Sequence, residues 1–285
     1  MKNVIELQHV HKKFKGFELN DLSFNVKKGY ITGFIGGNGA GKSTTIKLMM
    51  NLLQPNEGDI TVFGLKYKEH EKEIKNRIGF VFDEDVFYEE LTLKKMKKIV
   101  SLSYSRWNEE LFQHYVKIFE LPLNKRLKQL SKGMKMKASL AIALSHEAEL
   151  IIMDEPTSGL DPVFRRELLQ LLHDIMQDGD KTIFFSTHNT TDLDRIADYI
   201  TFVHKGSHVF TKDMTEIEES YVVVKGELAL LDEDIVQEFI GLEKSRHGFV
   251  GLSDNKASVE ALFGNMALIE KATLEDIMYY TKKGR

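Results

Sequence analysis

The stretch Gly36 to Thr44, GGNGAGKST, constrains this chain more than any other. It fits the spacing Gly, four residues, Gly, Lys, then Ser or Thr, which wraps backbone around phosphate. The apolar run Ile31, Phe34 and Ile35 precedes it, and an amphipathic segment with Ile46, Leu48, Met49, Leu52 and Leu53 follows, so the loop joins a buried strand to a helix. Glycine permits positive φ and close backbone approach, and successive N–H groups at a helix N-terminus attract β- and γ-phosphates. Gly36, Gly37, Asn38, Gly39, Ala40, Gly41, Lys42, Ser43 and Thr44 are therefore expected to hold nucleotide. Lys42 adds a point charge on the phosphates, and the Ser43 hydroxyl is a Mg²⁺ ligand.

Bulk properties narrow the setting. A chain of 285 residues can bury a sizeable core and hold one large or two unequal domains. Lys and Arg number 39 against 43 Asp and Glu, and a formal charge of -4 gives no electrostatic reason for nucleic acid as a main ligand. With no Cys, disulfides and thiol chemistry are excluded, which fits a reducing compartment. No apolar run approaches the ~18 residues that span a bilayer, and Met1 to Val10 lacks the apolar core of a signal peptide. The expectation is a soluble, cytoplasmic chain.

From Val4 to Val26 short alternating runs broken by Lys-rich turns predict antiparallel strands leading into the loop strand. Phe14 and Phe17, in KKFKGF, could stack on an adenine ring or serve only as turn aromatics. Leu91 to Tyr104 and Trp107 to Phe119 are helical patterns with Thr92 and Asn108 as capping residues, and two consecutive helices suggest an inserted helical subdomain. Lys94, Lys95, Lys97 and Lys98 read as a solvated helix face before a lipid contact. LSKGMK opens another helix: Ser131 is an N-cap, Gly133 is a costly choice there, and simple capping outweighs a second anion site.

Leu150 to Met153 form an apolar strand that ends in Asp154 and Glu155. Two carboxylates at the C-terminal end of a buried strand suit one that reaches Mg²⁺ and one that orients a nucleophilic water. Asp161 and Pro162 start a helix that Gly179 ends, and His188 stands just past the apolar strand Thr182 to Ser186, where a γ-phosphate or water contact is reasonable. His204 and His208 flank a turn and read as surface residues. From Tyr221 onward short strands and helical pieces carry no phosphate motif.

In series, GGNGAGKST, LSKGMK, IIMDEPTSGLD and STH resemble the ATPase subunit of an ABC transporter, over residues 2 to 215. The resemblance implies an α/β P-loop NTPase core of ABC type in residues 1–215. An antiparallel β subdomain, a helical subdomain near 84–147 and an α+β appendage in 216–285 complete it. It makes Gly36 to Thr44 Walker A, Leu130 to Met134 the signature, Asp154 the Walker B aspartate and Ser158 to Asp161 the D-loop. Glu155 becomes the catalytic base, His188 the switch histidine and Lys42 the phosphate lysine. Phe14 aligns best with the adenine-stacking aromatic, with Phe17 the fallback. Ser131 and Gly133 would touch γ-phosphate in trans, in a partner ATPase that is a second copy or a different subunit. Ser43, Asp83 and Asp154 are the implied metal residues.

Two positions depart from the family: Lys132 stands where many members have Gly, and Asp83 where the Q-loop has Gln. The form of these motifs looks most like Gram-positive exporter ATPases for antimicrobial or toxin peptides, including the phenol-soluble-modulin type. Such a subunit uses ATP and Mg²⁺, works with an integral membrane permease on the inner face of the cell membrane, and needs no nucleic acid. The competing readings are a soluble ABC ATPase acting on ribosomes or DNA, which usually has tandem domains or a coiled coil, and a subunit that binds ATP with little turnover.

Overall fold

The computed structural model describes residues 2–81, 88–177, 179 and 181–284, so Asp83 and the start of the expected helical subdomain lie outside the described residues. The chain divides into two compact units, Met1–His188 with Ile196–Thr211, and Asn189–Arg195 with Lys212–Arg285.

In the first unit β1 (Asn3–Phe14) and β2 (Phe17–Lys27) form an antiparallel hairpin, with Phe14 opposite Phe17 across the turn. β3 (Ile31–Ile35) is fully buried and runs into the glycine-rich loop and α1 (Lys42–Met49). β4 (Glu57–Val62) and β5 (Leu65–Lys66) complete a sheet of order β2-β1-β4-β5. α2 (Tyr67–Asn76) and β6 (Ile78–Val81) follow. α3 (Leu93–Ser101) and α4 (Glu109–Ile118) each begin at the expected cap: Thr92 accepts from Lys95 N–H at 3.3 Å and Asn108 from Leu111 N–H at 2.9 Å. α5 (Lys132–Leu144), β7 (Leu150–Asp154), α6 (Pro162–Met176) and β8 (Thr182–Thr187) come next. Beyond α7 (Leu193–Ile196), the turn Lys205–Gly206 joins β9 (Tyr199–His204) to β10 (Ser207–Asp213).

The second sheet has the order β10-β9-β3-β8-β7-β6, and its pairings β9/β3, β3/β8, β8/β7 and β7/β6 are parallel. Strands covered on both faces must be apolar throughout rather than alternating, which is how ITGFI, LIIM and TIFF read. Phe24, Phe34 and Phe184, with ring centroids 5.1 to 6.5 Å apart, belong to the core shared by the two sheets. His208 is half-buried rather than at the surface: its ring lies 5.7 Å from that of Phe24, and burial holds its pKa below the usual imidazole range.

The second unit contains α8 (Met214–Ser220), β11 (Val222–Gly226), α9 (Glu233–Val236), β12 (Gly241–Ser245), β13 (Gly248–Ser253), α10 (Lys256–Phe263), β14 (Leu268–Lys271) and α11 (Leu274–Gly284). Its sheet has the order β12-β13-β11-β14 with antiparallel pairs throughout. Val222, Val224, Phe249, Val259 and Phe263 make its core. The segment Asn189–Arg195, which the linear pattern assigns to the ATPase region, packs as part of this unit.

Candidate active site

Strand register assembles the site. Ile35 pairs with Thr187 and Asp154 with Ser186, so Gly36, His188 and Glu155 all emerge at one carboxyl edge of the parallel sheet. Gly41 has φ 107°, a conformation glycine adopts without strain, and a Cβ there would strike Leu19 and lie 3.0 Å from Phe17 Cζ. At Gly36 a Cβ would sit 2.6 Å from the Val203 carbonyl. The loop closes through Ala40 N–H to the Gly37 carbonyl at 3.0 Å. α1 begins on Gly41, and no side chain accepts at this cap, which leaves first-turn N–H groups for an anion.

Lys42 is 7% exposed and curls back, its Nζ 2.8 Å from the Gly36 carbonyl and 3.2 Å from Glu155 Oε1. Glu155 uses its other oxygen on His188: Oε2 accepts from the backbone N–H at 3.2 Å and lies 2.7 Å from Nδ1. This glutamate stands at φ 48°, a left-handed conformation that costs an ordinary residue about 1–2 kcal/mol. Ser186 holds it there, since the Glu155 N–H donates to Ser186 Oγ at 3.0 Å and to its carbonyl at 3.1 Å. The same hydroxyl donates to Asp154 Oδ1 at 2.6 Å. Ser186 was visible only as the first letter of STH, and its two bonds were not.

A cleft of about 640 Å³ runs along these groups, lined by the glycine-rich loop, Glu155, Ser158 and His188, with Gly16 and Phe17. Phe17 is therefore the ring that reaches the cleft. Phe14, the first choice from sequence, is outside that lining; its ring stacks on Phe17 at 6.5 Å and is 40% exposed. Ser131 and Gly133 are likewise outside this chain's own cleft, at the start of α5.

The donors suit Mg²⁺. Such a site needs one or two protein oxygens plus phosphates rather than a cage, and Ser43 lines the cleft while Asp154 is oriented by Ser186. Among the described residues no cluster of three or more His, Cys, Asp or Glu could hold a metal alone.

A glycine-rich loop between strand and helix, a lysine at its end and two carboxylates at the end of a parallel strand two places along the same sheet define a P-loop nucleotide hydrolase. The ABC transporter family matches residues 19–158. The bacitracin transport ATP-binding protein BcrA of Bacillus licheniformis is 34% identical over 72% of this chain and 68% of its own length. Among solved structures, an ATP-binding subunit of an ABC transporter superimposes with TM-score 0.69 at 28% identity, over 76% of this chain and 92% of that one. A bacterial ABC transporter cassette solved as a dimer gives TM-score 0.65 at 26% identity, over 74% and 98%. The chain belongs to the ABC transporter ATP-binding proteins and is an ATP-binding, ATP-hydrolysing subunit of that family.

Proposed function

We propose that the subunit closes with a second ABC ATPase around two ATP molecules and drives a separate integral membrane permease from the cytoplasmic face, exporting a peptide-type cargo. The contact that carries this reading is Lys42–Glu155–His188 at the carboxyl edge of the sheet. The relative named for bacitracin transport supports the cargo class, and the cassette solved as a dimer supports the closure. No helix among the described residues is long and apolar enough to cross a membrane.

The residues divide the work as follows. Lys42 and Glu155 pair at 3.2 Å while 7% and 13% exposed, a gross attraction of about 5 kcal/mol at an effective ε near 20. Phosphates entering the loop meet first-turn N–H groups of α1 and draw Lys42 away, since they carry more charge than one carboxylate. Glu155 Oε1 is then free to take a proton from water, while His188 keeps Oε2 in place. Phe17 stacks on the adenine. Ser43 and Asp154 would hold Mg²⁺, which would supply positive charge against that developing on the phosphates. Ser131 and Gly133 complete the partner's site rather than their own.

Size-exclusion chromatography of Glu155→Gln with MgATP tests the closure. A stable dimer is expected, and a chain that remains monomeric overturns the sandwich. Pull-down of a polytopic membrane protein by the tagged chain tests the permease.

A further inference from the structure

Gly133 is the second residue of α5, where glycine is a poor helix former, and its φ lies outside the left-handed region, so backbone freedom does not explain it. A neighbouring ring does. A Cβ at Gly133 would lie 3.1 Å from Phe164 Cδ1, tighter than most real Cβ contacts, and in ordinary contact with Cε1 at 3.5 Å, so the ring would have to give by a few tenths of an ångström.

Phe164 is 9% exposed and sits in the first turn of α6. Asp161 fixes that turn, its Oδ1 accepting from the N–H groups of Val163 and Phe164, both at 3.0 Å. One turn along α5, Lys137 Nζ stands 4.7 Å over the Phe164 ring and 3.6 Å from Glu167 Oε2. Gly133 and Lys137 thus clasp the ring from one face of α5. Lys132, the residue out of line with the family, packs beside the same loop: a Cβ on Gly159 would meet its Nζ at 3.3 Å. The loop itself starts at the proposed base, because Ser158 N–H donates to the Glu155 carbonyl at 3.0 Å.

We propose that Phe164 is a positioning residue that sets the N-terminus of α5, so that the turn beginning at Glu155 in one site aims Ser131 and Gly133 at the other. This rests on the sandwich reading above. The bare position at 133 answers to a ring in its own subunit.

The experiment uses the full chain in a Glu155→Gln background, with MgATP-driven dimerisation followed by analytical ultracentrifugation. Phe164→Ala and Gly133→Ala should each weaken dimerisation at least about tenfold, while ATP affinity of the isolated monomer stays within about twofold, because coupling is confined to residues in contact. Phe164→Tyr, which keeps the ring, should behave as its parent. Gly133→Ala combined with Phe164→Leu should recover to within about threefold of the parent, since the smaller side chain leaves room for the new methyl group. Thermal melting checks folding, and Phe164→Leu alone replaces Phe164→Ala if the latter does not fold.

A double variant no better than Gly133→Ala overturns the proposal, as does Phe164→Ala or Phe164→Leu dimerising like its parent. A Glu155→Gln parent that stays monomeric overturns the sandwich reading itself and this proposal with it. A dimerising parent without rescue overturns the positioning role alone.

Discussion

At the start of α1 the capping position is Gly41, and no side chain accepts from the first turn; at the start of α5 Ser131 accepts from Met134 N–H at 3.2 Å. Both helices begin beside glycine, serine and lysine, and sequence motifs alone make them look like two versions of one anion site. Their glycines answer different needs. Gly41 is at φ 107° and no L-residue fits there without strain, whereas Gly133 is ordinary helix where a Cβ would stand 3.1 Å from Phe164 Cδ1. An uncapped start presents its N–H groups to a ligand, while a capped and buttressed start presents a shaped surface. The first builds a site within its own chain and the second is suited to finishing a site elsewhere.

The largest expected effect comes from removing the carboxylate beside α1. Glu155→Gln should lower steady-state ATP hydrolysis by about 10²–10⁴, the usual contribution of a general base. Monomer affinity for ATP should hold or rise severalfold, because Lys42 no longer has an anionic partner to leave. Turnover close to the wild-type rate would remove Glu155 from the role of base.

Exchanging the glycines tests the contrast directly. Gly41→Ala should lower monomer nucleotide affinity by about 100-fold and reduce the melting temperature, since Ala strains at positive φ and its methyl group meets Leu19. Gly133→Ala should leave that affinity within about twofold. Equal losses of monomer binding, measured by isothermal titration calorimetry, would erase the distinction between the two helix starts.

Ser131→Ala should cost about 1 kcal/mol of stability through the lost cap and lower turnover without altering monomer ATP affinity. Unchanged turnover would leave Ser131 a cap and nothing more.

The far end of α5 offers the mildest test. His146 is 1% exposed, stacks on Tyr104 at 3.8 Å, and lies near the carbonyls of Ile142 and Ile78. Burial dominates and pushes its pKa down, nearby Lys181 and Arg106 add to this, and the two carbonyls oppose it. The unfolded chain then binds more protons than the folded one below about pH 6.5, so stability is intact above that pH and falls as pH drops toward the folded pKa. The slope is at most about 1.4 kcal/mol per pH unit for this group, with His208 adding in the same sense. Melting temperatures from pH 7.5 to 5 should decline, and less steeply in His146→Gln. An identical slope in the variant would place the acid sensitivity elsewhere.

Spacing along the chain was enough to read the phosphate loop, the DE pair at the end of β7, the histidine after β8, the caps of α3, α4, α5 and α6, and an α+β appendage. Each of these is a local property: glycine at a turn, a short polar side chain at a helix start, an unbroken apolar run where a strand is buried on both faces. Contacts between distant segments were left to the tertiary structure. KKFKGF offers two aromatics that pair across the hairpin, and only the tertiary structure puts Phe17, not Phe14, in the lining of the cleft. Nothing in STH or DEP announces that Ser186 grips both Asp154 and Glu155, because that depends on β7 and β8 lying in register. Asn189–Arg195 follows His188 in sequence yet belongs to the C-terminal unit. Gly133 and Phe164 are 31 positions apart (164 − 133) and meet only because α5 and α6 start side by side, a close approach that no residue pattern along one helix encodes.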